Sequence, residues 1–78
     1  MSREKENFLQ NVAWLRRHYG ISKKRMAKLL HISLGSIDRM EKGDLPEEID
    51  VSVLFYIQDY FGIPPQELLE RRLTDKPL

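Results

Sequence analysis

Ser22 and Ser33 each stand directly before a short amphipathic segment, and only His31 and Ile32 separate the first segment from the second serine. A serine oxygen at such a place accepts from a backbone N–H two or three residues on, satisfying a donor that a helix start leaves orphaned. The sequence therefore predicts two helices, residues 23–30 and 34–42, joined across a break that permits only a sharp turn. In the first, Met26, Ala27 and Leu30 share one face while Lys23, Lys24, Arg25 and Lys28 cover the others. In the second, Ile37 and Met40 turn inward and Gly43 supplies the stop. Two short helices so joined have the layout of a helix-turn-helix, and the rest of the chain has to complete their core.

The flanking segments carry the same helical period. Phe8, Leu9, Val12, Leu15 and Tyr19 mark a helix that stops at Gly20. Residues 43–50 are rich in turn formers and acid, so they read as a loop ending in an Asp50 N-cap. A fourth helix is expected over residues 51–61, with Leu54, Ile57 and Phe61 as its core stripe. Its Phe55, Tyr56 and Tyr60 carry apolar surface around the remaining circumference, as suits a central or partner-contacting helix. Gly62 ends it, Pro65 fits the first position of a fifth, and Leu68, Leu69 and Leu73 supply the last stripe. The expected architecture is all-α: a compact domain of five helices over residues 8–73, between a flexible N-terminus at 1–7 and a flexible tail at 74–78.

At 78 residues and without cysteine, the chain has neither disulfides nor thiolate zinc to hold it, so stability must come from packing. Its longest apolar stretch, Val51 to Ile57, is interrupted by Ser52 and falls far short of the roughly 20 residues that cross a bilayer. The charged N-terminus lacks a signal-type apolar run, and the expectation is a soluble cytoplasmic protein. The net charge of +1 conceals an asymmetry. Residues 1–31 hold eight Lys or Arg against two Glu, whereas residues 32–78 hold five against ten acids. A fold with that division presents a basic face suited to a polyanion. Lys23, Lys24 and Arg25 sharpen the point, because they fill the first turn of a helix, where the macrodipole disfavours cations by roughly 0.3–1 kcal/mol each. Residues placed against local stability suggest another use, and phosphate contact is the simplest; a solvated, salt-screened face is the plain alternative.

Taken together, Leu15-Arg16, Tyr19-Gly20-Ile21-Ser22, Met26-Ala27, Leu30, Ile32-Ser33, Ile37 and Arg39-Met40-Glu41-Lys42-Gly43 resemble the phage repressor and Cro family of helix-turn-helix proteins, the xenobiotic-response-element type. The resemblance continues through Leu54, Ile57, Phe61-Gly62-Ile63 and Glu67-Leu68-Leu69, covering about residues 8–70. It implies a prokaryotic or phage transcription regulator, repressor-like, that binds double-stranded DNA with its third helix in the major groove and its second on phosphates.

Carried over residue by residue, Lys23 replaces the family's usual Gln at the start of the second helix and keeps a grip on phosphate. Lys24, Lys28, Ser33 and Lys42 join it as phosphate contacts. Arg39 occupies a base-contact position, where bidentate pairing to guanine is worth about 1–3 kcal/mol of discrimination. Leu34 and Ser36 are the other base-contact candidates, although Leu34 lies about 60° from the Ile37 direction and equally suits the edge of the core. Leu34 and Gly35 stand where polar readers are usual, and Asp38 would repel a phosphate. His31 replaces the turn glycine and must accept positive φ, which histidine tolerates better than most residues. The loop after Gly43 is about two residues longer than the family's and more acidic, with Asp44, Glu47 and Glu48. Arg16 and Glu41 match an inward ion pair between the first and third helices.

Other chemistries find little support. His18 and His31 lack metal-ligand spacing, nothing marks an activated nucleophile or a phosphate-cradling glycine loop, and neither an enzyme nor a cofactor is expected. Binding to two half-sites would require a homodimer, for which the fourth and fifth helices are the candidate surface. The alternative function on the same fold is a protein-interaction module, antitoxin-like or a regulatory partner, working through the aromatics of the fourth helix.

Overall fold

The computed structural model describes residues 3–73; residues 1–2 and the expected tail at 74–78 lie outside them. Five helices follow in order: α1 Glu4–His18, α2 Lys23–Leu30, α3 Leu34–Glu41, α4 Val51–Phe61 and α5 Pro65–Glu70. Three starts are capped as their sequences predict. Ser22 Oγ accepts from Arg25 N–H, Ser33 Oγ from Ser36 N–H, and the Asp50 carboxylate from Ser52 N–H.

Helix ends follow one pattern three times over. After α1, Gly20 N–H reaches Arg17 O and Ile21 N–H reaches Arg16 O; after α2, His31 and Ile32 make the matching pair to Lys28 and Ala27. After α3, Gly43 N–H bonds Met40 O and Asp44 N–H bonds Arg39 O. These are Schellman closures, each needing a left-handed residue at the turn. At the second, His31 fills that role with φ of 60°, as its place in the sequence requires, and its ring stacks on Tyr56 at 4.1 Å.

Each helix contributes to one core. Leu15 from α1, Met26 and Leu30 from α2, Ile37 from α3, Ile57 from α4 and Leu68 from α5 are fully buried. Side chains of this type contribute roughly 1.5–3 kcal/mol each on burial, so packing can hold the fold without a covalent staple.

Three expectations need correction. The first helix begins at Glu4, one turn before Phe8, where its apolar period starts. Glu4 and Glu6 suit the positive end of a helix, and Asn7 is buried against α5. In α4 the fully buried pair is Val53 and Ile57; Leu54 and Phe61 are only partly buried, because the helix is rotated to bring Val53 beneath the core. Tyr19, expected in the core stripe of the first helix, is exposed and tilts against Phe61.

A polar staple joins the first and last helices. Asn11 is 1% exposed; its Nδ2 donates to Leu68 O at 2.8 Å and Arg71 O at 2.7 Å, while its Oδ1 accepts from Leu73 N–H at 2.9 Å. One turn earlier, Asn7 Nδ2 donates to Leu69 O and Asn7 Oδ1 accepts from Arg72 Nε. The terminal carbonyls of α5, which a helix cannot satisfy itself, are thus closed by α1 side chains. This arrangement also buries Leu73 after α5 has ended at Glu70.

Candidate nucleic-acid interface

Arg16 sets the position of α3. Its Nε lies 2.5 Å from Glu41 Oε2, its Nη2 donates to Glu41 Oε1 at 3.1 Å, and its Nη1 reaches Ile21 O at 3.0 Å. The fork therefore binds the end of α1, the turn before α2 and the last residue of α3 into one unit. Glu41 in turn holds the Arg16 pKa above its ordinary value, chiefly through that hydrogen bond. The inward ion pair expected between these two residues is present, and both side chains are largely shielded from solvent.

With Ile37 and Met40 buried, α3 turns Leu34, Gly35, Asp38, Arg39 and Lys42 outward as a stripe along the helix. Leu34 is 47% exposed and so belongs to this stripe, not to the core edge. Beside it, α2 exposes Lys24, Arg25 and Lys28. None of these three, nor Lys42, forms an ion pair among the described residues.

Two cations of the face are engaged within the chain. Lys23 Nζ lies 2.7 Å from Asp38 Oδ1, a pair that spans from the start of α2 to the middle of α3 and holds the Asp38 pKa below the carboxylate norm. Arg39 is bound by Asp44, whose Oδ2 accepts from Nε at 2.8 Å and lies 2.7 Å from Nη2.

The serines are engaged as well. Glu48 accepts from Ser33 Oγ at 2.9 Å and from Ser36 Oγ, and these two bonds, Ser36 first, lower the Glu48 pKa. Ser36 is only 4% exposed, so the base-reading role expected for it gives way to a structural one: it anchors the acidic loop on the first turn of α3. Ser33 keeps an exposed position but shares its hydroxyl with that loop. Sequence reasoning missed Asp44 and Glu48 as partners. For Asp44 a local signal existed, because a closure on Gly43 places the next residue beside the one four before the glycine.

Among the described residues no three His, Asp or Glu side chains form a group able to hold a metal, and no described helix is long and apolar enough to cross a membrane. The family model for the Cro/C1-type helix-turn-helix DNA-binding domain matches residues 13–72, and the chain belongs to that family. No characterised protein and no solved structure matches the sequence significantly. The family and the architecture make this a DNA-binding domain of the transcription-regulator type.

Proposed function

We propose that the domain regulates transcription by setting α3 in the major groove of duplex DNA while α2 lies across the phosphates. The observation that carries this reading is the uncompensated charge of Lys24, Arg25 and Lys28 on α2, next to the outward stripe of α3. On this geometry Lys24, Lys28 and Lys42 grip phosphate directly, Lys23 does so after releasing Asp38, and Ser33 offers a hydroxyl at the start of α3. Arg39 reads a guanine, and Leu34 meets a thymine methyl. Ser36 supports the site from beneath. No catalytic step or cofactor belongs to this reading.

The test is fluorescence anisotropy with random-sequence duplex DNA at several salt concentrations, with Lys24→Ala, Lys28→Ala and Arg39→Ala alongside. Wild-type binding that weakens as salt rises, with a slope shallower by about 0.9 in each Lys variant, supports the reading. Absence of binding at low salt by folded protein overturns it.

A second observation favours self-association. Val51 and Phe55, one turn apart on α4, are 67% and 56% exposed, beside an apolar cleft of about 250 Å³ lined by Phe8, Leu45, Ile49, Leu54 and Leu69. We infer that this surface on α4 and α5 joins two copies, which would set two α3 helices for paired half-sites. Sedimentation velocity checks it: a wild-type dimer that Phe55→Asp converts to monomer supports the inference, and a monomer at all concentrations sends this surface to a different protein partner.

A further inference from the structure

We propose, building on the duplex-binding reading above, that Asp44 is a specificity-determining residue: it turns the Arg39 guanidinium toward a guanine edge while suppressing its attraction to phosphate. Three features of the α3 terminus combine to do this.

The first is placement. In the Schellman closure of α3, Asp44 N–H bonds Arg39 O at 2.9 Å and Gly43 takes φ of 93°. That closure brings the side chains of Arg39 and Asp44 together, at positions that in many helix ends carry an apolar contact. After α2 the equivalent positions hold Ala27 and Ile32, which follow the apolar habit. After α3 they hold a base and an acid on the exposed face, where no apolar packing is served.

The second is which edge of the guanidinium is used. Asp44 Oδ2 takes Nε and Nη2, one side of the fork. The far end, with Nη1 and the second hydrogen of Nη2, is left with two parallel donors, the arrangement that matches guanine O6 and N7. A side chain with its plane already fixed loses less rotational freedom on binding, which favours a partner that fits the fixed geometry.

The third is charge. Arg39 and Asp44 together carry no net charge, and their side chains are more than half exposed. A lone phosphate gains little from such a pair and meets the Asp44 carboxylate as it approaches, whereas a neutral base edge meets no such penalty. Specificity as a difference of affinities then rises, because binding to arbitrary sequence falls more than binding to guanine.

The experiment compares wild type, Asp44→Asn, Arg39→Ala and the double variant, all shown to be folded by thermal melting. Each is titrated with a random-sequence duplex pool over a salt series, and the bound fraction is sequenced. Asp44→Asn is expected to bind the pool up to about five-fold more tightly. Its salt slope should steepen by about 0.9 and its guanine enrichment should fall. When Arg39 is absent the fall in enrichment should vanish and the changes in affinity and slope should be smaller, since only the repulsion from Asp44 is then removed. If wild type binds but Asp44→Asn alters neither slope nor enrichment, or alters them equally without Arg39, the Asp44 proposal fails while the duplex-binding reading stands. If no variant binds at low salt, both fail.

Discussion

Lys23 Nζ lies 2.7 Å from Asp38 Oδ1, so the cation that opens α2 and the one acid on the outward stripe of α3 face each other. Each residue is awkward alone: Lys23 sits at the positive end of a helix, and Asp38 faces the direction from which DNA would come. Paired, they offset one another and link the two helices of the motif.

Breaking this pair from the acid side should therefore strengthen DNA binding. Asp38→Asn is expected to tighten binding to random duplex and to steepen the salt dependence by about 0.9, as Lys23 becomes available for one more phosphate. Melting at neutral pH should fall only slightly, since exposed pairs contribute weakly to stability, and that small difference should shrink as pH falls and Asp38 is protonated in the wild type. Anisotropy over a salt series, with circular dichroism melts, gives both readings; an unchanged slope places Lys23 away from the phosphates.

Asn11 should be among the most sensitive polar positions in the domain. Asn11→Ala leaves the Leu68 and Arg71 carbonyls and the Leu73 amide without their partner, an expected loss of about 2–4 kcal/mol. Asn11→Asp is expected to be no milder at neutral pH, because its carboxylate would face two carbonyl oxygens. Urea denaturation of the two variants measures this, and a loss below about 1 kcal/mol in both would show that water replaces the staple.

Glu41→Ala should destabilise by about 2–4 kcal/mol, since it strands the shielded Arg16 guanidinium and loosens the end of α3. The Arg16→Ala/Glu41→Ala double variant should be less damaged than the sum of the two single variants. Denaturation of the four proteins closes the cycle, and strict additivity would exclude coupling between the side chains.

Three carboxylates contribute to the acid limb of stability. Asp38, Glu48 and Asp50 are all held below their ordinary pKa, by Lys23, by Ser36 with Ser33, and by Ser52 respectively. A lowered folded pKa means that the unfolded chain binds protons first as pH falls. The contribution is thus complete above the unfolded values near pH 4 and is lost as pH falls through the folded ones. Melting temperature should be nearly level in this respect between pH 7 and 5 and drop toward pH 3. Ser36→Ala should make the drop shallower by removing the main cause acting on Glu48.

Local signals account for what was legible beforehand. Ser22, Ser33 and Asp50 act on backbone within three residues of themselves, and His31 answers a turn defined by its neighbours, so each could be read directly. The start of α1 could not, because Asn7 is held by residues more than 60 positions away. Ser36 is a different case: its base-contact role came from the resemblance, whereas at 100° per residue it lies about 40° from Met40, toward the buried side, where the loop carrying Glu48 closes over it. Charge alone was equally incomplete. It located the basic face, but only the folded chain shows which cations are engaged by Asp38 and Asp44 and which remain available.

The asparagine staple has a consequence for the order of folding. Because Asn7 and Asn11 take their partners from α5 and the residues just after it, the first helix of the domain cannot complete its contacts until the last has been made. During synthesis α1 must wait for the whole domain to emerge, so the domain should acquire its native state in one late, cooperative event instead of helix by helix. Removing α5 should then unfold the proposed reading surface as well, although no residue of α5 belongs to it.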